Sequence, residues 1–105
     1  MAETMGYAQG AITTGGVTAL TASGNVSVVC IRVANVDGTN TADVTIAIDP
    51  SGATAATTIA HTVPVPADSV LRFDGPFFLA NGDALTLTAS ADNDLTYRVE
   101  HLTIT

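Results

Sequence analysis

Asn25-Val26-Ser27-Val28-Val29-Cys30-Ile31-Arg32-Val33-Ala34 is the stretch that decides the fold class. Five of its ten residues are β-branched aliphatics, whose stiff side chains suit a pleated strand better than a helix. Successive side chains of a strand point to opposite faces, so the two parities can be read separately. Val26, Val28 and Cys30 make one parity apolar, and Val29, Ile31 and Val33 make the other apolar as well. A strand with one solvated face needs only one apolar parity. This segment therefore predicts a strand with something to bury on both sides.

Working outward, β-branched runs recur between clusters of Gly, Asn, Asp and Pro, the pattern of short strands joined by tight turns. Strands are predicted at about Asp43 to Ile48, Thr57 to Val65, Ser69 to Phe73, Phe77 to Leu79, Ala84 to Ala89 and Leu95 to Thr105, with a further one within Val17 to Ala22. Val44, Ile46 and Ile48 point in while Asp43, Thr45 and Ala47 point out; Leu85 and Leu87 point in while Thr86 and Thr88 point out. No window has helical periodicity. The fold class is all-β: a single antiparallel β-sandwich of seven or eight strands, immunoglobulin-like or jelly-roll-like. Residues 1–24, rich in Gly, Thr and Ala, read as a flexible N-terminal arm, and residues 25–105 as the sandwich domain.

Turn chemistry agrees. Asp37-Gly38 suits a tight hairpin, and Asp49-Pro50-Ser51-Gly52 opens a longer loop reaching Ala56. Pro64 and Pro66 flank Val65, so the strand before them ends there or lies on an edge, because proline lacks a ladder donor. Asn81-Gly82-Asp83 and Asp92-Asn93-Asp94 close the last hairpins; their side chains suit turn capping rather than any spaced calcium loop.

The last strand is also two-sided. Leu95, Tyr97 and Val99 share one parity, while Leu102 and Ile104 fall on the other beside Arg98 and Glu100. Either a bulge near His101 shifts the register or the strand's end adds a second apolar face. If this strand neighbours the first, Val29, Ile31, Val33, Leu102 and Ile104 form an outward apolar patch, the candidate subunit interface. The competing expectation is that the N-terminal 24 residues fold over this face.

The chain of 105 residues fits one domain with a core but no deep pocket. It has no lysine, three arginines (Arg32, Arg72 and Arg98), ten acidic residues and a formal net charge of -7. Such a surface repels phosphate backbones and anionic headgroups, so neither nucleic acid nor membrane is an expected partner. The acidity serves solubility. Synthesis in a cytoplasm is expected, since no secretory signal or spanning segment is seen. Asn25-Val26-Ser27 is a glycosylation sequon, expected to be silent without export.

No constellation carries chemistry. Cys30 cannot form an internal disulfide and reads as a small buried hydrophobe. His61 and His101 lack a third metal ligand at useful spacing and any nucleophile context. The expectation is no enzyme, no cofactor and no metal. Phe73, Phe77 and Phe78 bracket Gly75-Pro76 and are expected to fill the core rather than form a sugar platform.

Val33-Ala34-Asn35-Val36-Asp37-Gly38-Thr39, the stretch from Val63 to Pro76, Leu79-Ala80-Asn81-Gly82-Asp83-Ala84-Leu85 and the terminal Leu102-Thr103-Ile104-Thr105 resemble small virion proteins of tailed bacteriophages with an immunoglobulin-like or related β-sandwich. The resemblance spans Asn35 to Ile104. It implies a capsid decoration or cement protein located in the virion. Such a protein associates with itself, often as a trimer, and with the major capsid protein, stabilising the outer lattice by multivalent contacts. The alternative is a glycan- or receptor-binding sandwich module of a phage tail, neck or cell surface.

Overall fold

The computed structural model describes residues 3–50 and 56–104. Residues 51–55, in the loop expected between Asp49 and Ala56, lie outside the described residues, as do Met1, Ala2 and Thr105. Eight strands follow in order: β1 (Glu3–Ile12), β2 (Val17–Thr21), β3 (Asn25–Asn35), β4 (Ala42–Asp49), β5 (Thr57–Val65), β6 (Val70–Leu79), β7 (Ala84–Ala89) and β8 (Leu95–Ile104). Among the described residues there is no helix. The two segments expected at Ser69 to Phe73 and Phe77 to Leu79 are one strand, interrupted in register at Gly75-Pro76.

The strands make two four-stranded sheets, sheet A in the order β1-β8-β3-β6 and sheet B in the order β2-β7-β4-β5, with every pair antiparallel. Only β4 and β5 are consecutive strands that pair with each other; every other connection crosses from one sheet to the other. An immunoglobulin-like sandwich joins several neighbouring strands within a sheet. Eight strands that keep changing sheet are a jelly roll. Strand order thus decides between the two expected sandwiches, and the immunoglobulin-like half of the expectation gives way.

The core between the sheets is aliphatic. Ile12, Val26, Val28, Ile31, Val33, Val44, Ile46, Val65, Leu79, Leu85, Leu87, Leu95 and Val99 are all buried in one cluster. β4 and β7 alternate as their sequences require, with Val44, Ile46, Leu85 and Leu87 inward. β5 both ends at Val65 and lies on the edge of sheet B, so its prolines leave no vacancy in the ladder. Among the described residues Asn35 is the buried polar one. It donates from Nδ2 to the carbonyls of Val65 (2.8 Å) and Asn40 (2.9 Å), accepts from the Asp37 amide (2.9 Å), and so ties the β3–β4 loop to β5.

The two apolar parities of β3 have one cause. Val28 pairs with His101 and Cys30 with the adjacent Glu100, so Val29 is an extra residue, a β-bulge. On the other side Val28 pairs with Phe77 and Cys30 with Asp74, so two residues of β6, Gly75 and Pro76, stand against the single Val29. A Cβ on Gly75 would run into the Val28 carbonyl oxygen, so the bulge requires glycine there. Passing the bulge flips the parity. Val26 and Val28 before it and Ile31 and Val33 after it all face the same core. Ile31 and Val33 of β3 therefore turn inward with Val26 and Val28 while Val29 stays outward, contrary to the expectation that Val29, Ile31 and Val33 point outward together. β8 has no such shift against β1: its register runs unbroken from Leu95 to Ile104. Leu102 and Ile104 are consequently a genuine second apolar face at the strand's end.

The stretch expected as a flexible arm is built into both sheets. β1 pairs with β8 over ten consecutive residues, and β2 pairs with β7. Ile12 and Ala22 enter the core, and Val17, Ala19 and Leu20 pack against it. Few large side chains suffice because an edge strand is held mostly by its backbone ladder. The segment also leaves the outer face of sheet A uncovered, since it pairs at the sheet margins rather than crossing that face.

Candidate interaction surface

Each sheet has one face on the core and one on solvent, and the two outer faces differ chemically. That of sheet B presents Thr45, Ala47, Thr86 and Thr88 beside Asp43, mostly small and polar. On sheet A the register sets residues in rows across β1, β8, β3 and β6. From one end to the other they read Met5-Leu102-Ser27-Phe78, Tyr7-Glu100-Cys30-Asp74, Gln9-Arg98-Arg32-Arg72 and Ala11-Thr96-Ala34-Val70.

Among the described residues, five of the six exposed large hydrophobic side chains belong to this face: Met5, Tyr7, Val29, Val70 and Phe78, each 44% to 63% exposed. Val29 must point outward, since β3 is a central strand whose inner side is packed core. Leu102 and Ile104 lie half-buried on the same face. Of the five residues expected to make the interface, Val29, Leu102 and Ile104 are there, and Ile31 and Val33 are fully buried in the core.

The third row holds every cation of the side chains, Arg98, Arg32 and Arg72 side by side on three adjacent strands. Like charges directly opposite destabilise a sheet. The neighbouring row answers them. Glu100 reaches Arg32 at 3.9 Å and Arg98 at 3.8 Å, and Asp74 accepts a hydrogen bond from Arg72 at 2.7 Å. The bond to Asp74 and its charge hold the Arg72 guanidinium still more firmly protonated. Arg98 also donates to Gln9 Oε1 at 2.8 Å and stacks 4.2 Å above the centre of the Tyr7 ring. With Glu3, Asp74 and Glu100 set against three arginines, the face is electrically neutral, and the net charge of -7 lies wholly on the rest of the molecule. An open groove of about 490 Å³ runs beside the arginine row, bounded by Arg32, Arg98, Gln9 and Val70 over Ala34 and Thr96.

Cys30 is buried and free, as expected, but outside the core cluster: it lies on the outer parity, within reach of Arg72. Phe73 and Phe77 pack against the core, whereas Phe78, expected with them, is exposed because it falls on the other parity. His61 is exposed on β5 in sheet B and His101 is half-buried on β8 in sheet A. Among the described residues no group of three His, Cys, Asp or Glu is placed to hold a metal ion. The acidic turn residues cap backbone amides, Asp92 that of Thr14, Asp37 that of Thr39 and Asp83 that of Ala80. Asp37 and Asp94 meet at the end of the sandwich and move oppositely. The Thr39 amide and Asn40 side chain hold Asp37 below the usual aspartate range, while desolvation and then the charge of Asp37 push Asp94 above it.

No protein-family model matches the chain, nor does any curated protein. Solved structures share its fold. A subunit of the Bacillus endospore appendages, described as a family of disulfide-linked pili, is 17% identical with a TM-score of 0.58, covering 99% of this chain and 88% of that one. The acid-stable capsid of Helicobacter pylori bacteriophage KHP30 includes a chain 9% identical with a TM-score of 0.56, covering 97% and 86% respectively. The Eiger TNF of S. frugiperda is 13% identical with a TM-score of 0.57, covering 81% and 63%. At these identities the likeness is one of fold.

Proposed function

We propose that this chain is a non-enzymatic virion structural protein, a capsid decoration or cement subunit that docks through the outer face of sheet A. The observation that carries the reading is the uncovered, neutral face on an otherwise acidic domain. It presents Met, Tyr, Phe and Arg, and interfaces are enriched in these residues and depleted of Lys, Glu and Asp. The shared fold with a phage capsid chain and a pilus subunit, both parts of repeating assemblies, supports it.

The dimensions suit lattice binding. Ten-residue strands at about 3.4 Å per residue, four abreast at about 4.8 Å, give a face of roughly 600 Å². A stable two-protein contact takes about 800 Å² from each side. One docked face is thus weak by itself, and repetition over a lattice supplies the strength. The exposed Tyr7 and Phe78 favour a second reading, a glycan-binding module, although the Tyr7 ring is already occupied by Arg98.

The test is sedimentation of the protein with capsids prepared without it. Saturable binding is expected, and Phe78→Glu weakens it by roughly tenfold or more, as for an aromatic interface anchor, with folding unchanged because Phe78 lies outside the core. Absence of binding, or binding indifferent to Phe78, rejects the docking face. Sugar-saturable binding on a glycan array, lost in Phe78→Glu, establishes the second reading instead.

A further inference from the structure

A sheet edge offers unpaired backbone donors and acceptors to any passing strand, and proteins blunt such edges with prolines, bulges, charges or brevity. Four strands lie at edges here: β1 and β6 in sheet A, β2 and β5 in sheet B. β6 carries the Gly75-Pro76 interruption with Arg72 and Asp74. β5 carries Pro64, two register shifts and the positive φ of Thr62. β2 has five residues and a register shift between Thr18 and Leu20.

β1 has none of these devices. It runs ten residues in unbroken register with β8, contains no proline, and its one charged residue, Glu3, stands at its end. We propose that this edge pairs antiparallel with β1 of a second copy, joining two A sheets into one of eight strands. This contact deepens the assembly reading by naming how copies of the chain associate.

The pairing register follows from geometry. Residues directly opposite in an antiparallel pair project from the same face, so outer residues of one β1 must oppose outer residues of the other. Tyr7 opposite Tyr7 satisfies this about a two-fold axis, setting Met5 against Gln9 and Glu3 against Ala11. Thr4 then opposes Gly10 and Gly6 opposes Ala8 on the inner parity. No like charges meet, and no two bulky inner side chains do. The two Tyr7 rings, each under its own Arg98, come together at the axis.

The experiment reads the mass of the free protein by light scattering across a concentration series, without capsids, so its failure is distinct from failure of capsid docking. Wild type is expected to pass from monomer to dimer. Tyr7→Lys and Tyr7→Glu each replace a favourable cross-strand pair with a like-charge pair and weaken association by roughly tenfold or more, while an equimolar mixture of the two restores a heterodimer. Circular dichroism checks that each variant keeps its strands. Independently, hydrogen exchange on wild type should show every second amide of β1 gaining protection as concentration rises. A monomer at all concentrations, a trimer, a dimer unaffected by either variant, a mixture that fails to associate, or β1 exchange independent of concentration overturns the proposal.

Discussion

Replacing Asn35 by alanine removes three hydrogen bonds at once, two donated from Nδ2 to the Val65 and Asn40 carbonyls and one accepted from the Asp37 amide. Each such bond contributes about 0.5–1.5 kcal/mol net, so the three together amount to roughly 3 kcal/mol. Val65 is fully buried, so its carbonyl is shut off from bulk solvent when Nδ2 is removed. In a domain near 100 residues each kcal/mol moves the midpoint by about 4–8 °C, so Asn35→Ala should melt roughly 12–24 °C below wild type. Urea titration should show a lower midpoint at unchanged slope, the sign of lost stability rather than altered compactness. Asn35→Asp supplies the control. It keeps the acceptor for Asp37 but offers no donor and turns a carboxylate toward two carbonyl oxygens, so it should lose more than alanine at neutral pH and recover part of the loss in acid. A loss below about 1 kcal/mol for Asn35→Ala would refute the claim that this side chain holds the loop to β5.

The bulge in β3 makes Ile31→Ala costly, about 2–5 kcal/mol for a cavity in the core, and Val29→Ala nearly silent, within about 0.5 kcal/mol; equal losses in chemical denaturation would contradict the assigned parity. Asp94→Asn should raise the melting temperature at neutral pH, since ionised Asp94 is disfavoured by desolvation and by Asp37. The sign follows from its raised pKa: the native state retains this proton where the unfolded chain has released it, so the destabilisation grows as pH rises from the usual aspartate value of 3.8 through the native pKa and the advantage of asparagine disappears below that window. Asp37→Asn should act oppositely, because a lowered native pKa contributes stability above 3.8 that is lost as pH falls through the native value; melting curves at neutral and acidic pH distinguish the pair.

Much of the sandwich is legible in local patterns. The strict alternation of Val44-Thr45-Ile46 and Leu85-Thr86-Leu87 predicts which side chains enter the core, and the structure buries those apolar residues. Pro64 and Pro66 announce a strand end or an edge, and β5 has both. The candidate interaction face is readable only in part. Leu102 and Ile104 announce themselves by breaking the parity of β8, but Met5 and Tyr7 stand in a glycine-rich segment whose strand character comes from its partner β8. Phe78 looks like its neighbour Phe77 until the register of β6 separates them.

The sequence by itself determined that the chain is all-β, where most strands begin and end, and that its charge is strongly acidic, because side-chain alternation, turn chemistry and composition are local properties. Tertiary structure alone decided the strand order that makes a jelly roll, the inclusion of residues 3–12 and 17–21 in the sheets, the inward turn of Ile31 and Val33, and the alignment of Arg98, Arg32 and Arg72 in one row. Those outcomes depend on register between strands far apart in the chain. A single extra residue such as Val29 reverses every side chain beyond it, and the pairing with β8 and β6 shows where that reversal falls.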